Sequence, residues 1–141
     1  NNIYEAWLKT GYFNPDKLPN AENREPFVIS LPPPNVTGTL HLGHAFEDSM
    51  QDIVIRFQRM LGKKALWLPG TDHAPIATES KVVKLLEKEE GKRKHDFTRE
   101  EFIAKVWDWK AESGGAITQQ LRRLGASCDW ANERFTLDEG F

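Results

Sequence analysis

Residues 27–44 read FVISLPPPNVTGTLHLGH, and they place an apolar strand, a proline turn and the start of a helix in immediate succession. Proline fixes its own φ angle and has no N–H to give to a sheet ladder. Pro32, Pro33 and Pro34 therefore end the strand and stiffen the loop that follows. Because a stiff loop presents its backbone groups to a ligand at little entropic cost, we expect it to form part of a binding site.

The helix after this loop is predicted to begin near His41, and a second histidine, His44, follows within its first turn. The first turn of a helix has unpaired N–H groups and the positive end of the macrodipole, which together suit a phosphate. Gly43 has no Cβ and lets a flat ligand approach the backbone closely. The pattern indicates a nucleoside triphosphate site, and the alternative is a pair of half-exposed histidines that cap an ordinary helix.

The segments that follow predict a nucleotide-binding fold. Apolar residues recur at helical spacing between residues 46 and 61, and Gly62 marks the end of that helix. Residues 64–68 read as a second strand, so strand, helix and strand predict a right-handed unit with two parallel strands. Ligands bind beyond the carboxyl ends of such strands. The proline loop and the loop of residues 71–73 leave those ends and should meet in one crevice.

Further helices are predicted on both sides of this unit. An amphipathic opening around Trp7 precedes a polar arm that runs to Glu25. Apolar residues between 81 and 86 indicate a helix that ends near Gly91, and Thr98 with Glu101 forms a capping box ahead of a long helix. The apolar and aromatic residues of that helix, between 102 and 109, recur at helical spacing and are interpreted as core.

Composition narrows the class of protein. The chain has 141 residues and a net charge of −2, which fits a globular domain and offers no electrostatic argument for a nucleic-acid partner. The basic run at residues 92–95 is interpreted as a solvated loop. Cys128 is the only cysteine, and no segment has the length of a membrane span or the layout of a signal peptide. We expect a cytoplasmic protein with no membrane partner.

The motif of residues 41–44, HLGH, resembles the His-Ile-Gly-His signature of class I aminoacyl-tRNA synthetases. Residues 32–38, PPPNVTG, are similar to the form found in the valyl members of that class. Further similar blocks are PGTDHA at residues 69–74, WDWK at 107–110, ESGG at 112–115 and ERFTLDE at 133–139. The resemblance extends over nearly the whole chain.

This resemblance implies an α/β fold in which residues 26–141 form the first half of a Rossmann-like catalytic nucleotide-binding domain, truncated before the editing insertion. Residues 1–25 would form an N-terminal helical arm. The family's second half has a mobile Lys-Met-Ser-Lys-Ser loop, and no segment of this chain is similar to it. Since the chain also begins at Asn1 rather than Met, we expect it to be a piece of a longer protein that holds half of a catalytic site.

The resemblance also implies the reaction. The carboxylate of valine would attack the α-phosphorus of ATP to give valyl-adenylate and pyrophosphate, and the acyl group would then pass to tRNA(Val). The substrate supplies the nucleophile, so catalysis rests on positioning and on stabilising phosphate charge. Mg²⁺ would accompany ATP, no metal held by this segment is expected, and tRNA would be bound mostly by regions outside this chain.

Matching motif positions give the expected site residues. His41 and His44 would be the catalytic residues, in contact with the ATP phosphates. The expected ATP-binding residues are Thr37, His41, Gly43 and His44. The expected amino-acid-binding residues are Pro32, Pro33, Asn35 and Asp72. Asp72 would hold the substrate ammonium, and the alternative for Asp72 is a carboxylate in a polar turn.

The chain departs from the family's pattern at one position. Pro75 stands where the family usually has glycine or a small residue, and a proline there is expected to stiffen the loop beside Asp72.

The sequence leaves three alternative functions open. Another class I nucleotidyl transferase is one alternative. A zinc hydrolase that uses His41, His44, Asp72 and His73 is a second. The third is an inactive fragment that keeps the fold and binds ATP.

Overall fold

Two pairs of parallel strands organise the computed structural model, which describes residues 2–140. The strands are β1 (Pro26–Ser30), β2 (Lys64–Leu68), β3 (Gly70–Thr71) and β4 (Arg134–Phe135). The α-helices are α1 (Asn2–Thr10), α2 (Leu42–Met60), α3 (Pro75–Glu89) and α4 (Arg99–Leu124). Short 3-10 turns lie at Pro15–Lys17, Ala21–Asn23, Lys94–Asp96 and Trp130–Asn132.

The predicted strand–helix–strand unit is confirmed. β1 and β2 pair in parallel from Pro26 opposite Lys64 to Ser30 opposite Leu68, and α2 is the crossover between them. The second pair was not predicted: Gly70 lies opposite Arg134, and Thr71 lies opposite Phe135. This pairing brings the last part of the chain back to the loop that follows β2.

The main core lies between the β1–β2 sheet and two helices. Trp67 of β2 and Ile55 of α2 are fully buried, and Ile117 and Leu121 of α4 pack into the same cluster. A smaller cluster joins α3 to α4 through Val82, Leu86 and Phe102. Burial of each large apolar side chain contributes about 1.5–3 kcal/mol. Because α4 provides residues to both clusters, it stabilises both of them.

The first helix is attached to the segment that follows α4. Tyr4 is buried, and its hydroxyl donates to the carbonyl of Ala126 at 2.8 Å. The indole Nε1 of Trp130 donates to the same hydroxyl at 2.9 Å. Tyr4 thereby anchors α1 to the segment after α4. No helix in residues 2–140 combines the length and apolar character that a membrane crossing requires.

The capping box ahead of α4 is confirmed, and the interpretation of its apolar residues is only partly right. The N–H of Glu101 donates to Oγ1 of Thr98 at 3.2 Å, and the N–H of Thr98 donates back to the Glu101 carboxylate at 2.8 Å. Phe102 is buried, but Ile103 and Trp107 are exposed by 41% and 48%. Both of these side chains line an open groove beside α3 rather than the core.

Pro75 is the first residue of α3 and borders the loop that holds Asp72, and its expected stiffening of that loop stays a prediction. The first helical position needs no N–H donor, so a proline is well tolerated there. The preceding residue, Ala74, takes the sharp turn instead, with a left-handed φ of 37°.

Helix α2 has the predicted bounds, but its apolar stripe points away from the described core. Phe46, Ile53 and Phe57 are exposed by 69%, 63% and 54%. The buried residues of α2 are Ile55 and Asp48. Burial, and next the charge of Glu47, raise the pKa of the Asp48 carboxyl from 3.8 to about 6.

We predict that Asp48→Asn stabilises the protein at pH 7 and has little effect below about pH 4. The raised pKa means that the folded state binds more protons than the unfolded state between pH 3.8 and about 6. Stability is therefore lost as the pH rises through this window, and the full cost remains above it. The expected gain at pH 7 is about 1–3 kcal/mol, measured by urea denaturation at both pH values.

Glu87→Gln, which removes an exposed carboxylate on α3, is the matched control and should show no such pH-dependent gain. An Asp48→Asn variant that is less stable than the parent at pH 7 would show that the Asp48 charge is compensated in the folded state.

Candidate functional site

The two histidines of the HLGH motif cap helix α2 and each other. Nδ1 of His41 accepts from the N–H of Gly43 at 3.1 Å, and Nδ1 of His44 accepts from the N–H of His41 at 3.2 Å. Their ring centroids are 3.8 Å apart with a tilt of 33°. The helix-capping alternative raised by the sequence is therefore a real part of the structure.

This capping leaves a second nitrogen on each ring for a ligand. A neutral imidazole has one N–H, and since both Nδ1 atoms accept hydrogen bonds, the proton lies on Nε2. Burial, and next the nearby His41, lower the pKa of His44, which favours its neutral form at pH 7. The N-terminal end of α2 thus offers two Nε2–H donors beside the positive end of the helix dipole. This arrangement suits an anion.

Gly43 has a structural role that the sequence did not reveal. A Cβ built at this position would lie 2.9 Å from Cε1 and 3.0 Å from Nδ1 of the His41 ring. These distances are too short for a stable contact, so any larger residue would displace the imidazole from its capping position. Gly43 is also exposed, as the predicted close approach of a ligand requires.

A cleft of about 350 Å³ lies between the proline loop and the start of α2. Most of the predicted site residues line it: Pro32, Pro33, Asn35, Thr37, His41 and His44. Glu47 and Ile117 also line it, and the sequence had not singled them out for the site. Gly43 and Asp72 are not among its lining residues.

Asp72 is joined to this cleft through the backbone. Its N–H donates to the carbonyl of Pro34 at 2.9 Å, and its carbonyl accepts from the N–H of Val36 at 3.0 Å. Asn35 and Asp72 thereby form a parallel bridge. The side chain of Asp72 is 33% exposed. The predicted meeting of the two loops is confirmed by these contacts of the Asp72 backbone.

Helix α4 holds the proline loop from the other side. The indole Nε1 of Trp109 donates to the carbonyl of Val36 at 2.7 Å. The N–H of Leu40, immediately before His41, donates to Oε1 of Gln120 at 2.8 Å. Gly114 lies against the same loop, since a Cβ there would be 3.9 Å from the Val36 side chain. Helical spacing identified the helix but could not show that it supports the loop.

Thr136 was also missed by the sequence reasoning. Its hydroxyl contacts the Asp72 carboxylate at 2.8 Å and accepts from the N–H of His73 at 2.9 Å. The only signal in the sequence was its place in the ERFTLDE block, which supported the resemblance without assigning a role to this residue.

The donor set of the zinc alternative is not assembled. Residues 2–140 contain no group of three or more His, Cys, Asp or Glu side chains placed to hold a metal ion. His41 and His44 lie at the start of α2, whereas His73 is hydrogen-bonded to Thr136. The four residues named for that alternative therefore do not surround one position.

The fold and this site define a class. The family described as tRNA synthetases class I (I, L, M and V) matches residues 2–141, and the chain belongs to it. A solved structure with the same fold is that of the ternary complex of Agrobacterium radiobacter K84 agnB2 LeuRS with tRNA and LeuAMS. It aligns with a TM-score of 0.74 and 20% identity, over 96% of this chain and 15% of that chain.

Within that class, two similar curated proteins are valine–tRNA ligases. The protein from Caulobacter vibrioides is 62% identical over 138 residues, which are 98% of this chain and 15% of that protein. The protein from Rhizorhabdus wittichii is 61% identical, with the same coverage. The chain thus spans about 15% of the length of the curated relatives that it matches.

We predict that Gly43→Ala fails to stabilise the protein, although alanine normally gains about 0.5–1 kcal/mol over glycine within a helix. The new methyl group should push the His41 ring off the Gly43 N–H, and loss of an N-cap costs about 1 kcal/mol. The measurement is the free energy of unfolding in urea. Gly115→Ala is the matched control, because a Cβ at this position of α4 meets open space and should stabilise the fold. Equal gains from both substitutions would mean that the cap is not maintained in solution.

Proposed function

We propose that the protein to which this chain belongs is a valine–tRNA ligase, which activates valine with ATP and transfers it to tRNA(Val). The observation that carries the proposal is the backbone bridge between Asn35 and Asp72. It joins the residue that carries the candidate carboxylate, Asp72, to the loop that leads into the two histidines. The names of the relatives with 61–62% identity support valine as the amino acid.

In this proposal the start of α2 binds the phosphates of ATP. The Nε2–H groups of His41 and His44 would donate to phosphate oxygens at the positive end of the helix dipole. Such donors stabilise the charge that develops on the phosphates as pyrophosphate leaves. Thr37 lines the same cleft and would contact ATP, and the adenine would lie over Gly43. Mg²⁺, bound to ATP, adds positive charge at the same phosphates when present.

The amino acid would bind against the proline loop, within reach of the side chain of Asp72. The carboxylate of Asp72 would pair with the ammonium group of valine, and a charge-assisted bond of this kind fixes the orientation of the substrate. Pro32, Pro33 and Asn35 line the cleft and would form the wall of the pocket. Two rigid apolar rings suit a small branched side chain, while Asn35 provides polar atoms near the reacting end.

We further propose that residues 26–141 are the first half of the catalytic domain, truncated before the editing insertion, with residues 1–25 as an N-terminal arm. The exposed apolar residues of α2, among them Phe46, Ile53 and Phe57, support this division. A sheet of two strands is also marginal by itself. The rest of the domain would cover this face of α2, and regions outside this chain would make most of the contacts with tRNA. A cytoplasmic location belongs to the same proposal.

The test is amino-acid-dependent exchange of pyrophosphate into ATP, with the complete polypeptide and each of the twenty amino acids in turn. Valine should give the fastest exchange. We predict that His41→Ala and His44→Ala each lower the rate with valine about a hundred- to a thousandfold, because one charge-stabilising donor is lost.

His95→Ala is the control for these variants, since His95 is an exposed histidine on the 3-10 turn Lys94–Asp96. Its exchange rate should match that of the parent. Exchange that depends on a different amino acid would contradict the choice of valine. Full activity in both His41→Ala and His44→Ala would contradict the phosphate role, and no exchange in a folded sample of the complete polypeptide would contradict the proposed function.

A further inference from the structure

We infer that Thr136 is a positioning residue that orients the carboxylate of Asp72 for the substrate ammonium, and this inference rests on the proposed function. Thr136 follows β4, and 64 positions separate it from Asp72 in the sequence. Its hydroxyl lies 2.8 Å from Oδ1 of Asp72. It is therefore placed to act on the amino-acid site through Asp72.

The hydroxyl of Thr136 makes three hydrogen bonds, which is its full capacity. It donates to Oδ1 of Asp72, and it accepts from the backbone N–H of His73 at 2.9 Å. The third partner is Nδ1 of His73. A hydroxyl has one proton, so once that proton points to Asp72, the contact with His73 requires a proton on Nδ1.

The donors of this network converge on Oδ1 of Asp72. The backbone N–H and Nδ1 of His73 donate to Oγ1 of Thr136, whose proton goes to the carboxylate, and Nδ1 of His73 also lies 3.3 Å from Oδ1 of Asp72. Oδ1 of Asp72 is consequently used within the protein. We assign Oδ2 as the oxygen that receives the ammonium group of valine.

The backbone around this network is held on both sides, so the side chain of Asp72 is the part left to be fixed. Pro34 and Val36 bind the backbone of Asp72. The N–H of Thr136 donates to the carbonyl of Thr71 at 3.2 Å, as a continuation of the β3–β4 pairing. A carboxylate on a fixed backbone can still rotate about its side-chain bonds, and the Thr136 hydroxyl selects one orientation.

A purely structural role accounts less well for this arrangement. The side chains of Asp72 and His73 are 33% and 32% exposed, and polar contacts open to water add little to folding stability. Thr78 already binds the carbonyl of His73 at 2.7 Å with a buried side chain, and this contact anchors the loop without the help of Asp72. Orienting a carboxylate toward a ligand is the use that remains.

The experiment measures pyrophosphate exchange by the complete polypeptide with Thr136→Val, which keeps the shape of the side chain but removes the hydroxyl. The apparent KM for valine should rise about tenfold, as expected for loss of one hydrogen bond to a charged group. The KM for ATP should stay within about twofold, because the ATP-binding end of α2 is untouched. Thr136→Ser retains the hydroxyl and should restore the KM for valine.

Two controls separate orientation of Asp72 from general damage. Thr118→Val removes a hydroxyl that donates to the carboxylate of Glu133 at 3.0 Å, and it should leave the KM for valine unchanged. In an Asp72→Asn background, which itself should raise the KM for valine and not that for ATP, Thr136→Val should add no further increase. Residues that act through one contact give such non-additive effects. Thermal melts of every variant report folding, and Thr136→Ala replaces Thr136→Val if the latter does not fold.

An unchanged KM for valine in a folded Thr136→Val protein would overturn the inference, and so would equal increases for valine and ATP or additive effects in the double variant. These outcomes leave the proposed function intact, since the parent still activates valine. A folded parent protein that activates no valine would instead overturn the proposed function, and this inference with it.

Discussion

The structure depends on a pair of backbone hydrogen bonds between the proline loop and Asp72. Three successive prolines have no N–H groups, so the loop they form cannot be held by an ordinary ladder on its donor side. The carbonyl of Pro34 accepts from Asp72 instead, and Val36, the second residue after the prolines, donates back to it. The loop that starts α2 and the loop that starts α3 are thereby locked together. These two hydrogen bonds therefore position both the start of α2 and Asp72.

Residues distant in sequence complete that arrangement. Helix α4 supplies Trp109 and Gln120 to the proline loop, and β4 brings Thr136 to Asp72. The two contacts from α4 satisfy backbone groups of the proline loop and of the residue before His41. The site therefore consists of two motif loops held by a frame from the second half of the chain. Rigid frames of this kind let binding groups keep their geometry without a large entropic cost when the ligand arrives.

The start of α2 shows how one set of atoms serves both structure and binding. His41 and His44 use Nδ1 to cap the helix, which assigns the remaining proton of each neutral ring to Nε2. The capping and ligand-binding interpretations of the histidine pair are thus compatible. Gly43 is needed for helix capping because a Cβ at this position would clash with the His41 ring. The exposure of Gly43 suits ligand binding.

The sequence by itself determined the local elements and the identity of the motif. Periodicity, prolines and caps gave β2, the bounds of α2 and the start of α4, because these features depend on residues within a few positions of one another. Only the tertiary structure decided which face of α2 is buried, that Pro75 begins a helix, and that Thr136 reaches Asp72. Pairing between short strands more than 60 residues apart leaves no periodic signal in either segment. The roles of residues whose partners lie far along the chain could therefore be seen only once the chain had folded.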